Sequence, residues 1–411
     1  MALRCQKDSY LQEFVSTVES CEVASEKING SKLSGYHVIL ADTILFPEGG
    51  GQPDDRGSLN TIPVLKVFLK GDKGVHFTQV PIDAGTEVNI QLDWQRRFDH
   101  MQQHSAQHLI SAIAETVFNF NTTSWSLGES VCKVEFNTPV ITNEQINQLE
   151  ELCNQYIREQ RPMYPTYYEL NDPAVDKIKT RGLPENIAGP LRVMTIEGID
   201  VNLCCGTHVS NLAHLQVIKL LGTEKGKKGN TLLHFHAGKR VVSALEKSLN
   251  IERQINTLMR GSPTDYPDLI KKLQNSYKSA SKNSSNLLKE LVGYEAKELS
   301  SKLKESNSKY ICHHRREGEI EYLLSLVQKL TCPEHIIKFI TVGDDRGAGN
   351  FILCGVETDV KELAPKVLEL IDGKGAVKGG RLMGKASKLS QKHKVEHAIE
   401  KYLESKDATN S

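Results

Sequence analysis

Residues 99–118, DHMQQHSAQHLISAIAETVF, mark the place where the hydrophobic period of the chain changes. Leu109, Ile113 and Val117 recur every four residues, which is the spacing of one face of an α-helix. Asp99 has a side chain that favours the helix N-cap, so we predict that the helix begins there. The segments on either side follow other patterns, and this helix therefore separates two kinds of structure.

The segment before the helix is rich in β-branched and aromatic residues, which favour strands. Its apolar runs, between residues 36 and 94, are YHVIL, TILF, VLKVFL, HFTQV and VNIQLDW. Glycine, proline and aspartate interrupt them at short intervals, as in an antiparallel barrel or sandwich. We predict an N-terminal β-barrel over residues 1–95, with a glycine-rich loop, PEGGGQPDDRG, at residues 47–57.

The segment after the helix mixes strand and helix patterns. VCKVEF, LRVMTI and TLLHFHAG predict strands, and NEQINQLEELCNQYIREQ predicts an amphipathic helix, so we expect an α+β domain over residues 96–245. Residues 246–306 predict a long helical connector, because a seam from Ile270 to Tyr294 alternates spacings of three and four. Residues 307–411 predict a C-terminal α/β domain with a basic tail, in which HHRR at 313–316 is expected to be a solvated loop.

Composition limits the class of protein. The 411 residues are 25% charged and 39% hydrophobic, with 51 basic and 51 acidic side chains, which excludes a disordered chain and a uniformly basic one. No apolar run is long enough for a membrane span and the N-terminus lacks a signal-peptide pattern. Nine scattered cysteines suit reduced thiols or a metal site. We expect a cytoplasmic protein with no membrane contact.

His104 and His108 are the first chemical signal. Four residues advance an α-helix by about 400°, so the two imidazoles lie on one face about one turn apart. Histidines at this spacing also occur on ordinary polar helix faces, so the pair alone does not establish a metal site.

The second signal is the sequence CCGTH at residues 204–208. Cys204 and His208 can reach one ion through a tight turn, and Gly206 relaxes the backbone that must fold around it. Two histidines from the helix with a cysteine and a histidine from this turn form a donor set that suits Zn²⁺. We predict one zinc ion held by His104, His108, Cys204 and His208.

About a hundred residues separate the two halves of this set, so tertiary folding must assemble the site. Four protein ligands close a tetrahedral zinc, whereas hydrolysis needs a position for water or substrate. A catalytic role therefore requires one ligand to yield or the coordination to expand. The sequence contains neither HExxH nor G-x-S-x-G, so it lacks the usual signatures of metalloproteases and serine hydrolases.

Three motifs in this order carry a family resemblance: PEGGGQ at 47–52, HSAQH at 104–108 and CCGTH at 204–208. They resemble the editing domain of alanyl-tRNA synthetase and its free-standing relatives, the trans-acting alanyl-tRNA editing proteins of AlaX type. The resemblance covers roughly residues 36–240. The helical connector and the glycine-rich basic C-terminus look like the long form of that family, whose tail resembles the last domain of the synthetase.

The resemblance implies a zinc-dependent hydrolase that deacylates seryl-tRNA(Ala), with glycyl-tRNA(Ala) as a further candidate substrate. It places the zinc ligands on the same four residues. Two departures from the family pattern are Cys205, where a glycine is usual, and Ser105, where a threonine is common. Only 35 residues precede the first predicted strand of the barrel, so we expect no ATP-dependent activation domain and no use of ATP.

Other residues are candidates for contact with substrate. Gln52 and Thr207 could form hydrogen bonds to the amino acid or the terminal ribose, or take part in catalysis; turn stabilisation is the alternative. The glycines Gly49, Gly50 and Gly51 would let a substrate approach the backbone. The basic segment 373–395 has seven Lys or Arg, no acid and five glycines, which favours docking of tRNA. Its leading candidates are Lys374, Lys378, Arg381 and Lys385.

Two other functions remain open. The chain could be a zinc-stabilised tRNA-binding protein without hydrolytic activity, in which all four ligands are structural. It could also deacylate another mischarged tRNA, because threonyl-tRNA synthetases carry a similar HxxxH and CxxxH site. The sequence does not specify an oligomeric state.

Overall fold

The computed structural model describes residues 2–169, 172–173 and 190–410. The chain divides into two compact units, one ending at Ile255 and the other beginning at Asn256. Both units contain helices and β-sheets, which confirms the α+β class. None of the helices in the described ranges is both long enough and apolar enough to cross a membrane.

The first unit begins with a short helix, α1 (Arg4–Lys7), and a seven-stranded sheet. The strands are β1 (Glu13–Ile28), β2 (Ser31–Leu40), β3 (Gly57–Leu59), β4 (Ile62–Val64), β5 (Lys66–Lys70), β6 (Lys73–Thr78) and β7 (Glu87–Leu92). Their order across the sheet is β4-β3-β7-β1-β2-β6-β5. Within the described residues β4 and β5 are the two edges and do not pair, so the sheet is open and the predicted N-terminal β-barrel is wrong.

The error has a physical cause. Alternating apolar residues report which face of a strand is buried, whereas closure of a barrel depends on strand tilt and stagger, which the alternation does not encode. The run TILF at residues 43–46 is likewise not a strand. It is a buried loop, in which the Thr43 hydroxyl lies 2.8 Å from His76 Nε2 and Ile44 is fully buried.

The glycine-rich loop is anchored by its own two aspartates. Asp54 Oδ2 accepts a hydrogen bond from Val67 N at 2.7 Å, and Asp55 Oδ2 accepts one from Phe46 N at 2.6 Å. Asp55 also pairs with Arg97, whose Nε lies 2.9 Å from Asp55 Oδ2, and both side chains are fully buried. Arg97 therefore ties the loop to the next helix. Removing one member of such a buried ion pair typically costs about 3–5 kcal/mol of stability.

That helix, α2 (Trp94–Phe118), lies at the centre of the first unit. It begins before the predicted Asp99, because Asp93 is the N-cap and its side chain accepts a hydrogen bond from Arg96 N at 3.2 Å. The elements that follow are β8 (Thr122–Ser126), β9 (Cys132–Phe136), α3 (Asn143–Arg158), β10 (Met163–Tyr168), β11 (Leu191–Ile196), β12 (Asp200–Leu203), β13 (Ile218–Lys225) and β14 (Thr231–Ala237).

These strands form two further sheets, of order β13-β14-β9-β8 and β10-β11-β12. The apolar face of α2 packs on the four-stranded sheet, where Leu109 and Ile113 join Val134 and Phe235 in the largest core cluster. This packing places the polar face of α2, which carries His104 and His108, towards the turn that follows β12.

The second unit contains the long helix and a five-stranded sheet. Its elements follow α4 (Lys239–Met259), which runs across the division: α5 (Tyr266–Ser306), β15 (Tyr310–Arg315), α6 (Ile320–Lys329), β16 (Ile337–Gly343), β17 (Gly349–Cys354), α7 (Glu357–Ile371), β18 (Gly373–Lys378), β19 (Arg381–Ala386) and α8 (Lys392–Asn410). The strand order is β15-β16-β17-β19-β18, with β15 and β16 parallel and the other pairs antiparallel. His313 and His314 lie in β15, so the prediction of a solvated loop at HHRR is wrong.

Candidate metal centre

His104 and His108 lie one turn apart on α2, and both are buried. Their ring centroids are 5.1 Å apart. Two glutamines beside His104 on the helix form hydrogen bonds to other elements and help to hold this part of α2 in place. Gln102 Nε2 donates to His214 O at 2.8 Å, and Gln103 Nε2 donates to Ala237 O at 3.0 Å. The two imidazoles are therefore held inside the first unit.

The turn after β12 brings Cys204 and His208 to the same place. One donor atom from each of the four predicted ligands lies within 4.8 Å of the others. Cys204 Sγ is 3.4 Å from His104 Nε2 and 3.2 Å from His208 Nε2. The neighbouring Cys205 is exposed and His100 is one turn away, and neither belongs to the cluster.

Two polar side chains next to the cluster set the orientation of two of its imidazoles. Gln52 Oε1 lies 2.9 Å from His104 Nδ1, and Ser105 Oγ lies 3.2 Å from His208 Nδ1. The Gln52 oxygen can only accept a hydrogen bond, which favours a proton on Nδ1 of His104 and leaves its Nε2 free for a ligand bond. Ser105 Oγ accepts a hydrogen bond from Val209 N at 3.1 Å and so links the helix to the turn.

Gln52 and Thr207 are bonded to each other. Gln52 Nε2 donates to Thr207 Oγ1 at 2.8 Å, and Thr207 N donates to Gln52 Oε1 at 3.0 Å. Both side chains are buried. This geometry explains how they order the site, and direct contact of either one with a substrate stays a prediction.

Gly206 lets the turn approach α2. A Cβ atom at this position would lie 2.3 Å from His104 Cε1 and 2.7 Å from Gln52 Oε1, closer than side chains pack. Its φ does not lie in the left-handed region, so crowding rather than backbone strain demands glycine here.

Burial favours the neutral form of three of the four side chains. It lowers the pKa of His104 and His208 well below the usual range and raises the pKa of the Cys204 thiol to about 11. Neutral imidazoles are the form that binds a metal. A divalent cation would stabilise the Cys204 thiolate that burial disfavours, so the donor set suits a metal of the zinc type.

The N-terminus of the chain supports the cysteine turn. Gln6 Nε2 donates to Cys205 O at 3.0 Å, and Arg192 Nη1 donates to Cys204 O at 2.5 Å. Arg192 Nε also donates to Gln6 O at 3.2 Å, so the three segments are tied together. Sequence reasoning missed these residues; the available signal was a basic residue inside the apolar strand LRVMTI.

The three glycines lie beside the cluster. Gly49 and Gln52 pair with each other in an isolated antiparallel β-bridge. Between them, Gly50 and Gly51 have φ values of 56° and 83°, which residues with a side chain disfavour. Gly51 packs on the Trp125 ring, where a Cβ would approach to 2.7 Å. The Trp125 ring centroid is 4.8 Å from that of His104, so the loop, the tryptophan and the cluster form one structure.

The predicted docking cations lie in the second unit, on the ribbon formed by β18 and β19. Lys374 pairs across the ribbon with Lys385, and Lys378 pairs with Arg381. All four side chains are exposed. The two cross-strand pairs thus place like charges directly opposite each other, which is unfavourable for the sheet.

Comparisons with known proteins give the family of the chain. Rat alanyl-tRNA editing protein Aarsd1 is 46% identical to the chain, covering 99% of this chain and 100% of the relative. The Xenopus laevis protein named alanyl-tRNA editing protein Aarsd1-A is 44% identical, covering 100% of both. The chain belongs to the alanyl-tRNA editing protein family.

The family relationship also extends to a synthetase. An alanine–tRNA ligase from Pyrococcus abyssi is 26% identical over 90% of this editing-family chain and 41% of the ligase. Residues 191–234 match the family model described as threonyl and alanyl tRNA synthetase second additional domain. The match contains Cys204 and His208, whereas the α2 histidines lie outside it.

Proposed function

We propose that this protein hydrolyses the ester bond of mischarged tRNA(Ala), with seryl-tRNA(Ala) as the main substrate and glycyl-tRNA(Ala) as the second to test. The observation that carries the proposal is the buried group of four donor atoms within 4.8 Å of one another, in a chain of the alanyl-tRNA editing protein family. A site shaped for alanine discriminates weakly against an added hydroxyl, so a second hydrolytic step for serine is useful.

We propose one Zn²⁺ as the cofactor, held by His104, His108, Cys204 and His208. The three imidazoles and one thiol fit this ion. Two of the imidazoles also have a hydrogen-bond partner at Nδ1, as ligating histidines usually do. Zinc bound there would supply a Lewis acid next to the ester carbonyl.

The side chains around the cluster have separate tasks in this proposal. Gln52 and Ser105 orient the imidazoles, and Arg192 holds the backbone of the cysteine turn. Trp125 and the glycine loop cover one side of the cluster and limit access of bulk water. The exposed Cys205 lies outside the donor set.

The strongest alternative is a structural zinc in a tRNA-binding protein without hydrolysis. The presence of four donors favours it, since four protein ligands close a tetrahedral ion. A cavity of about 770 Å³ favours the hydrolase, because it is lined by Gln52, whose Oε1 lies 2.9 Å from His104 Nδ1 of the cluster. The compartment we propose is the cytoplasm, because each of the nine cysteines lies in the described residues and is unpaired.

Deacylation of a panel of mischarged tRNAs tests the function. We expect release of serine from seryl-tRNA(Ala), loss of release after treatment with a chelator and recovery on addition of zinc. Correctly charged alanyl-tRNA(Ala) is the control. The panel includes seryl-tRNA(Thr), because the matched family model also describes threonyl-tRNA synthetases. A zinc-loaded protein that hydrolyses none of these esters would show that the metal is structural.

We also propose that the exposed face of the β18–β19 ribbon binds the phosphate backbone of tRNA. Neutralisation by glutamine at Lys374, Lys378, Arg381 and Lys385 removes four cations. We expect weaker tRNA binding and a slope of log K against log salt that is shallower by about three to four, since each phosphate contact contributes about 0.9 to the slope. Binding measured at several salt concentrations checks this prediction.

The matched control replaces four exposed lysines of α5 by glutamine, which gives the same change in net charge. These are Lys271, Lys272, Lys278 and Lys282. An equal loss of slope in both variants would mean that net charge, and not the ribbon, drives binding.

A further inference from the structure

Residues 3–10, which we call the N-terminal segment, join the two halves of the donor set. Two of the four donors lie on α2, and the other two lie in the cysteine turn, residues 204–210. About a hundred residues separate these halves along the chain, so their relative position depends on contacts between elements. The N-terminal segment makes contacts with both of them.

The segment is anchored on α2 and on the buried loop at residues 43–46. Arg97 lies on α2 two turns before His104, and its Nη1 donates a hydrogen bond to Ser9 O at 2.9 Å. Cys5 N donates to Thr43 O at 3.2 Å. Because the Arg97 and Cys5 side chains are both fully buried, the segment has a fixed base beside the helix.

The segment binds the cysteine turn at both of its ends. Gln6 Nε2 donates to Cys205 O at 3.0 Å, one residue after the candidate ligand Cys204. Ser210 N donates to Tyr10 Oη at 3.0 Å, two residues after His208. The two donors of the turn therefore lie between two hydrogen bonds to the same segment.

Tyr10 also connects the turn to α2. Its Oη lies 2.6 Å from His214 Nδ1, and Gln102 Nε2 on α2 donates to His214 O at 2.8 Å. The Tyr10 ring centroid is 5.6 Å from that of Trp94, the first residue of α2. A single side chain thus holds the end of the turn to the helix at two places.

We propose that Gln6 and Tyr10 are positioning residues for the metal centre. They hold the cysteine turn against α2, so that its thiol and imidazole meet the two α2 imidazoles at bonding distance. Zinc–ligand bonds of about 2.0–2.3 Å leave little tolerance, and a working site must be held to within about 0.5 Å. The inference rests on the proposed function for the four zinc ligands.

Two conservative variants test the inference. Tyr10→Phe keeps the ring and removes only the hydroxyl that Ser210 N and His214 contact. Gln6→Glu keeps an oxygen that can accept the hydrogen bond from Leu3 N, now 2.8 Å from Gln6 Oε1, and removes the amide donor to Cys205 O. Each variant is expected to lose zinc to excess chelator about three- to tenfold faster than the wild type, the effect of about one hydrogen bond. In the cobalt-loaded proteins, the thiolate-to-cobalt absorption band is expected to shift or weaken.

Matched controls lie in the second unit. Tyr402→Phe removes a hydroxyl that donates to Asp359 Oδ1 at 3.0 Å, and Gln274→Glu makes the same charge change on an exposed face of α5. Both are expected to keep the wild-type band and the wild-type rate of zinc loss.

A purely structural role predicts a different result. Tyr10→Phe and Gln6→Glu would then lower the melting temperature but keep the wild-type cobalt spectrum and rate of zinc loss, and this outcome would overturn the inference. A change in only one of the two variants would overturn the role of the other residue. Since neither readout requires turnover, a protein that shows the expected changes but deacylates no mischarged tRNA would contradict the proposed hydrolysis alone.

Discussion

Replacing His104 by alanine is expected to remove zinc binding and deacylation together. His104 Nε2 is 3.4 Å from Cys204 Sγ, and its ring packs on the His108 and His208 rings, so the variant loses a central donor of the cluster. Loss of a side chain that only forms a hydrogen bond to a metal ligand typically costs 10- to 100-fold in metal affinity. Loss of the ligand itself should therefore cost more than about a hundredfold. Zinc content by elemental analysis, zinc affinity by chelator competition and the rate of serine release check this result.

The control for this variant is His335→Ala, an exposed histidine of the second unit. It is expected to retain zinc and activity. Circular dichroism should show that His104→Ala keeps its helices, because α2 has an extensive apolar face that does not involve this side chain. A His104→Ala protein with one tightly held zinc per chain and wild-type turnover would falsify the proposed ligand set.

Adding a single methyl group at Gly206 is expected to weaken zinc binding and deacylation nearly as much as His104→Ala does. The new Cβ would lie 2.3 Å from His104 Cε1 and 2.4 Å from His104 Nδ1, so either the ring or the turn must move. Movement of the turn displaces Cys204 and His208 relative to α2. We expect Gly206→Ala to bind zinc about 10- to 100-fold more weakly and to lose most of its activity.

Cobalt substitution separates damage to the metal centre from simple blocking of substrate. The thiolate-to-cobalt absorption band is expected to weaken or shift in Gly206→Ala. The matched control is Gly293→Ala in α5, where the nearest atom to the new Cβ is Lys329 Nζ at 3.7 Å. That change should leave the band unchanged and stabilise the helix by about 1 kcal/mol. A Gly206→Ala protein with the wild-type band and wild-type zinc affinity would contradict the crowding argument.

Much of the candidate site could be predicted because its signals are local. The i, i+4 spacing of His104 and His108 has meaning within one helical turn, and Cys204 and His208 lie in one tight turn. The long helix α5 was predicted for the same reason, since its seam repeats over neighbouring turns. The error at TILF shows the limit of this reasoning, because a buried loop and a buried strand use the same apolar residues.

The amino-acid sequence by itself determined the four donor side chains of the cluster, the α+β class and the resemblance to the editing family, since these depend on residue types and on spacing along the chain. Only the tertiary structure decided that the first sheet stays open, that Gln52 orients His104, and that Arg192 and Gln6 hold the cysteine turn. The physical reason is distance along the chain: these contacts join residues whose approach depends on how whole elements pack, which local periodicity does not encode.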